Sequence, residues 1–131
     1  MRNVYYLEDS DFDFSNPDGA KLIGFEKLGM PNKPALILIY ASWCGHCKTF
    51  KPKYEEFASM MKQIGEPVYV CAIQADGEQP GQKELAKKLR QISKDFRGFP
   101  DVYMFKNGKL HQRFEDQRTA EALTTFCKQH A

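Results

Sequence analysis

The chain has 131 residues and a formal net charge of +2, with 27% of its residues charged. A domain of this length buries roughly two-thirds of its unfolded surface, so it needs neither a disulfide framework nor a structural metal to fold. The small net charge and the lack of any apolar run near the roughly 20 residues of a membrane span argue against nucleic acid and membrane partners, and we expect a monomer.

The first 28 residues have the least regular pattern. Residues 3–7 are a candidate strand, and the run DSDFDFSNPDG that follows has the composition of turns and a short helix. Residues 20–28, AKLIGFEKL, fit a helix or a strand because Gly24 weakens both, and we predict a short helix. Acidic residues stand where a signal peptide would have its apolar segment, so we expect a cytoplasmic protein, with an endoplasmic-reticulum or virus-encoded origin left open.

The clearest strand leads directly to two cysteines. Residues 35–40, ALILIY, form the continuous apolar run of a strand that is covered on both faces. Cys44 and Cys47 follow, and apolar residues then recur at three- and four-residue steps over residues 50–64. This spacing predicts a helix that ends at Gly65.

The second half of the chain predicts a further strand, a hairpin and two helices. Asn107-Gly108 is a type I′ turn signal between two alternating segments. The strands are predicted at residues 67–73, 101–105 and 110–114, and the helices present Leu85, Leu89 and Ile92, or Leu123, Phe126 and Cys127, to the core. This order implies an α/β fold, with a central mixed β-sheet flanked by helices on both faces.

The spacing of Cys44 and Cys47 favours redox chemistry. Three residues apart at a helix start, both sulfurs lie on one helix face and within reach of a disulfide. The free N–H groups and the dipole at the helix start favour the Cys44 thiolate, so Cys44 is the predicted nucleophile. Cys47 lies one turn inside and is predicted to resolve a mixed disulfide.

Other uses of the pair have less support. A zinc site would need a fourth ligand beside Cys44, His46 and Cys47, and the chain has no second close cysteine pair. Covalent haem attachment needs a histidine directly after the second cysteine, where this chain has a lysine. A purely structural disulfide over so short a loop would constrain the unfolded chain weakly. Cys71 and Cys127 fall on apolar faces and are expected to be core thiols.

Several motifs together resemble the thioredoxin family. They are the buried strand, WCGHCK, a helix with Pro52 eight residues after the first cysteine, GFP before a strand, and NG in the next hairpin. The resemblance implies that residues 1–131 form a single thioredoxin-like domain, with an N-terminal strand and helix in residues 1–25 that the motifs do not cover. Gly45-His46 is similar to the protein disulfide isomerase branch, since thioredoxins usually have Gly-Pro there.

The resemblance also implies a substrate site. Pro100 would be cis and lie beside the cysteines, and the backbone of Phe99 would pair with the substrate chain. Trp43 would shield the sulfurs from water, and Gly45 would belong to the same substrate-binding surface. Arg118 resembles the mobile arginine of the isomerase branch, which can approach the inner cysteine and lower its pKa.

Two positions bear on the redox balance. The His46 imidazole can donate to a thiolate or balance its charge, which would stabilise the dithiol and make the disulfide a stronger oxidant. Leu38, six residues before Cys44, occupies the place where the family commonly buries an Asp or Glu that accepts the inner cysteine's proton. Deprotonation of Cys47 would then depend on water, His46 or Arg118, and we expect slow release from the mixed disulfide.

The sequence therefore predicts a thiol-disulfide oxidoreductase or disulfide isomerase without a metal or organic cofactor. Its expected substrates are proteins with thiols or disulfides, and glutathione or a reductase would recycle it. The alternative is a peptide-binding or chaperone-like module that uses the groove around Trp43 and Phe99, with incidental thiols.

Overall fold

The computed structural model describes residues 1–28 and 33–131. The predicted loop before the first long strand, GMPNKP, lies mostly outside the described residues. The strands are β1 (Tyr5–Tyr6), β2 (Phe12–Asp13), β3 (Lys21–Leu22), β4 (Ala35–Tyr40), β5 (Tyr69–Gln74), β6 (Asp101–Lys106) and β7 (Lys109–Arg113). The helices are α1 (Gly45–Gln63), α2 (Pro80–Ala86), α3 (Leu89–Ile92) and α4 (Ala120–His130), with 3-10 helices at Asp9–Asp11 and Glu26–Leu28.

A five-stranded sheet with the order β1-β5-β4-β6-β7 forms the centre of the fold. Strands β1, β5 and β4 are parallel, while β6 is antiparallel to β4 and β7 is antiparallel to β6. Every residue of β4 is buried, as expected for a central strand covered on both faces. Asn107 and Gly108 between β6 and β7 both have positive φ, at 52° and 78°, which confirms the predicted hairpin.

Helices cover both faces of this sheet. The side chains of Leu36, Leu38 and Tyr40 pack with residues of α1 and α4, and Ile37 and Ile39 pack with residues of α2 and α3 on the other face. The predicted α/β fold with a mixed sheet is confirmed. None of the helices in the described parts of the chain is long and apolar enough to cross a membrane.

The predicted short helix over residues 20–28 is wrong. Strand β3 pairs with β2 in an antiparallel two-stranded sheet, and a 3-10 helix follows only at Glu26–Leu28. The N–H groups of Ile23 and Gly24 both donate to the carbonyl of Asp11, at 2.8 and 3.1 Å. A Cβ at Gly24 would overlap the side chain of Asp11, so a larger residue in this turn would have to displace that side chain.

The helix predicted through Leu85, Leu89 and Ile92 is in fact two helices. All three side chains are buried as predicted, but α2 ends at Ala86 and α3 begins at Leu89. Lys88 lies at the break with φ −120° and ψ 19°, and its Nζ lies 2.7 Å from Asp9 Oδ1. The spacing of apolar residues identifies the buried face of the two helices. It gives no sign of the contact between Lys88 and Asp9, which lie 79 positions apart in the sequence.

We expect Tyr54→Phe to lower the free energy of unfolding by about 1–2 kcal/mol. The buried Tyr54 hydroxyl donates to the carbonyl of Cys71 at 2.7 Å and lies 3.2 Å from the carbonyl of Leu36, so it bridges β5 and β4. Urea unfolding of the dithiol form measures the loss. Tyr5→Phe, which removes a hydroxyl bound to the partly exposed Glu66, is the control with a smaller expected loss, and equal losses would contradict the prediction.

Candidate active site

Cys44 is the N-cap of α1. Strand β4 ends at Tyr40, and the chain turns so that the N–H of Cys44 donates to the carbonyl of Ala41 at 3.2 Å. Cys44 has the extended backbone of an N-cap, with φ −77° and ψ 122°, and its sulfur accepts the N–H of Cys47 at 3.3 Å. The sulfur thus occupies the place of the side-chain oxygen that usually satisfies a free N–H at a helix start.

This position lowers the pKa of Cys44 despite its burial. Desolvation raises the pKa of the thiol, but hydrogen bonds from the Cys47 thiol and from the N–H groups of Cys47 and His46 lower it, as does the charge of Arg118. The net pKa lies below the ordinary thiol value. The predicted preference for a Cys44 thiolate agrees with this direction.

Cys47 has the opposite electrostatic environment. Its side chain is 1% exposed, against 8% for Cys44. Desolvation, together with the hydrogen bond to Cys44, raises the pKa of Cys47 to about 11, although the charge of Arg118 acts to lower it. Both cysteines are free thiols. The outer sulfur is therefore the more readily ionised of the pair.

The Phe99-Pro100 bond is cis, as the family resemblance implied. The Cys44 thiol donates to the carbonyl of Phe99 at 3.6 Å, which brings the loop before β6 onto the outer sulfur. Trp43 is 68% exposed, and its ring packs edge-on against Phe99 with centroids 5.7 Å apart. A Cβ at Gly45 would meet no atom within 4 Å, so open space lies beside the same turn. The four residues predicted to bind substrate surround Cys44, and their roles stay predictions.

Arg118 and His46 also lie at this end of the sheet. Arg118 is exposed, directly precedes the N-cap of α4, and lines a cavity of about 270 Å³ together with Pro100. Its charge lowers the pKa of both cysteines, and its predicted role at Cys47 stays a prediction. The group of His46 that acts on Cys44 is its backbone N–H, while its side chain is exposed. The predicted role of the imidazole stays a prediction.

Leu38 lies in an apolar environment on the cysteine side of the sheet. It is 0% exposed and belongs to the same core cluster as Cys47. Its cross-strand partners are Ala72 on β5 and Val102 on β6. The neighbouring strands therefore place no charge beside it.

Two carboxylates near the site were not predicted. Asp76 accepts the N–H and the hydroxyl of Ser42 and so anchors the turn before Trp43. Asp101 follows Pro100 directly and is buried. Asp76 could have been found, because it follows β5 and the carboxyl ends of parallel strands meet at one edge of a sheet. No sequence signal separates Asp101 from an exposed acid.

The remaining cysteines are core thiols as expected. Burial raises the pKa of Cys127 to about 12 and the pKa of Cys71 well above its ordinary value. Within the residues that the structure describes, no three His, Cys, Asp or Glu side chains are grouped so that they could hold a metal ion.

Residues 24–129 match the family model described as Thioredoxin. The chain belongs to the thioredoxin family. A protein described as thioredoxin-like, 453L of Invertebrate iridescent virus 6, is 39% identical over 121 residues, which cover 86% of this chain and 80% of the viral protein. A protein disulfide-isomerase of Ricinus communis is 34% identical over 97 residues, which cover 73% of this chain but only 18% of that protein.

Solved structures share the fold of this chain. The first thioredoxin domain of mouse protein disulfide-isomerase A4 superposes with a TM-score of 0.66 at 27% identity and covers 98% of this chain and 76% of that one. Human ERp44 superposes with a TM-score of 0.70 at 18% identity, covering 98% of this chain and 30% of that one, which shows the shared fold alone. The predicted thioredoxin fold is confirmed, and protein disulfide-isomerases are among the relatives of this chain.

We expect the alkylation rate of Cys44 to rise with pH at a midpoint below the ordinary thiol pKa of about 8.5. Cys47→Ala removes the thiol that donates to Cys44 and should move this midpoint upward, because the thiolate loses a hydrogen bond. Iodoacetamide labelling with mass spectrometry reads Cys44 selectively, since the other three thiols are buried with raised pKa values. Cys127→Ala is the control, and an equal midpoint in the Cys47 variant would contradict the assignment.

Proposed function

We propose that this thioredoxin-family chain is a thiol-disulfide oxidoreductase that acts on cysteines of other proteins. The observation that carries the proposal is the placement of the two cysteines at the N-terminus of α1, where the Cys44 sulfur accepts the Cys47 N–H and the pKa of Cys44 is lowered while that of Cys47 is raised. Such a pair can hold one negative charge on the outer sulfur and one proton on the inner sulfur. This is the starting state for attack on a disulfide.

In the reducing direction the Cys44 thiolate attacks one sulfur of a substrate disulfide. A Cys44-substrate disulfide forms, and the second substrate sulfur leaves as a thiolate and takes up a proton. Cys47 then loses its proton and attacks the Cys44 sulfur, which releases the first substrate sulfur and leaves a Cys44-Cys47 disulfide. Two electrons pass from the pair to the substrate, and the reverse sequence oxidises a substrate dithiol.

The second step depends on the proton of Cys47. Its raised pKa means that few molecules carry a Cys47 thiolate at neutral pH, and the apolar Leu38 provides no base. Bond formation between substrate and Cys44 removes the negative charge from the outer sulfur, and the charge of Arg118 favours ionisation of Cys47. Arg118 is accordingly proposed to assist resolution.

Substrate docking is proposed on the surface around the outer sulfur. The exposed Trp43 packs against the half-buried Phe99, and the Phe99 carbonyl lies within hydrogen-bond distance of Cys44. An extended peptide that pairs with the Phe99 backbone would bring its disulfide to Cys44. Glutathione or a reductase is the proposed recycling partner, and a cytoplasmic location remains part of the proposal. Isomerase activity is proposed from the plant relative, of which this chain spans 18%.

A second candidate is a peptide-binding module, favoured by the 68% exposure of Trp43. An exposed aromatic ring beside a groove can hold an apolar peptide without redox chemistry. In that case the cysteines would be dispensable for binding.

We expect the protein to catalyse insulin reduction by dithiothreitol and reactivation of scrambled ribonuclease. Cys44→Ala should abolish both activities, because no sulfur remains to attack, while Cys47→Ala should accumulate a mixed disulfide that mass spectrometry detects. Cys71→Ala is the matched control, since its thiol is buried in the core. Peptide binding without either activity in the wild-type protein would favour the second candidate.

We expect Leu38→Glu to accelerate resolution of the mixed disulfide by at least about tenfold at neutral pH, because a positioned general base typically contributes 10²–10⁴-fold. Stopped-flow measurement of substrate release from the Cys44 adduct across pH gives the rate. Leu38→Gln buries a polar side chain of similar size without a base and is the control. An unchanged pH profile in Leu38→Glu would contradict the proposed rate limit at Cys47.

A further inference from the structure

A buried carboxylate begins the strand that carries the substrate-docking backbone. Asp101 is 5% exposed and follows Pro100 directly at the start of β6. Its Oδ2 accepts the Tyr103 hydroxyl at 2.5 Å, and its Oδ1 accepts Arg113 Nε at 3.0 Å and the N–H of Val102 at 3.2 Å. An ionised group at this depth is retained only when it is fully hydrogen-bonded, and these three donors meet that condition.

These bonds connect two strands next to the cis bond. Tyr103 and Arg113 are cross-strand partners on β6 and β7, and Arg113 is the last residue of β7. The carboxylate of Asp101, two residues before Tyr103 in the chain, accepts hydrogen bonds from both side chains. It therefore ties the first residue of β6 to the last residue of β7.

A second buried polar residue lies at the other end of the docking loop. Ser93, the C-cap of α3, is 3% exposed, and its hydroxyl accepts the N–H of Asp95 at 3.2 Å. The segment from Ser93 to Pro100 carries Phe96 and Phe99, whose rings lie 5.5 Å apart. This segment thus runs between two buried polar residues, Ser93 at its start and Asp101 directly after its end.

We propose that Asp101 is a positioning residue that holds the Phe99 backbone in place for pairing with a protein substrate. This inference rests on the proposed function and assigns one residue to its substrate specificity. Phe99 lies two residues from Asp101, and its carbonyl already contacts the Cys44 thiol. A small displacement of this backbone would misalign a docked peptide with the sulfur, whereas a small disulfide without a peptide backbone would still reach Cys44.

The test compares two disulfides and two variants. Asp101→Asn keeps the shape of the side chain but removes its charge, and Tyr103→Phe removes one donor while the ring stays packed. With insulin as the substrate we expect KM to rise about three- to tenfold in each variant, with little change in kcat. This range corresponds to the net contribution of one lost hydrogen bond. With 5,5′-dithiobis(2-nitrobenzoic acid), which has no peptide backbone, the rate should equal that of the wild-type protein.

Asp116→Asn is the matched control. Asp116 and Asp101 both line the cavity beside Arg118, but Asp116 is exposed and accepts the N–H of its neighbour Gln117. A double variant of Asp101 and Tyr103 should raise KM by less than the product of the single effects, since the two groups share one bond. If Asp101→Asn does not fold, Tyr103→Phe provides the test.

The outcomes separate the two hypotheses. An unchanged KM for insulin, or equal losses with both disulfides, would show that Asp101 only stabilises the fold, and the proposed function would stand. A wild-type protein that reduces neither disulfide would overturn the proposed function and the positioning role with it.

Discussion

The hydrogen bond from the Cys47 N–H to the Cys44 sulfur is the contact on which the candidate site depends. It makes a cysteine the N-cap of a 19-residue helix, so that α1 begins at the reactive atom. Free N–H groups at a helix start stabilise negative charge, and here they act on a sulfur instead of a bound anion. The same geometry places Cys47 one turn further on and behind Cys44. Local helix formation therefore sets both the spacing of the pair and the difference in pKa between its members.

Three strands bring their ends to this helix start. Strand β4 leads into the cysteines, the segment after β5 supplies Asp76, which holds Ser42, and the segment before β6 supplies Phe99. Strand β4 is buried on both faces, so the position of Cys44 is fixed by the packing of the whole sheet. The loops around the sulfur are then held by individual polar contacts, with Asp76 on one side and Asp101 on the other. Rigid strands and two carboxylates, the partly exposed Asp76 and the buried Asp101, together define the site.

The apolar environment of Cys47 affects the two half-reactions of the proposed mechanism differently. Burial raises the pKa of Cys47, which keeps a proton available to the Cys44 thiolate and favours the dithiol. The same burial opposes the later ionisation that releases substrate. Leu38 and its apolar cross-strand partners increase this difference between the two steps, because none of these three side chains can accept the proton of Cys47. Attack and resolution are thus governed by one environment, and the exposed charge of Arg118 acts on both cysteines.

The sequence by itself determined the elements whose signals are local. The apolar run at residues 35–40, the Cys44-Cys47 spacing and the Asn107-Gly108 turn each specify their structure within a few residues, and the motif order specifies the family. Tertiary structure decided the rest. Lys21 and Leu22 became a strand because they pair with β2, and Asp101 became buried because donors from β6 and β7 converge on it. Contacts between residues distant in sequence leave no periodic pattern in the chain, so only the folded structure reveals them.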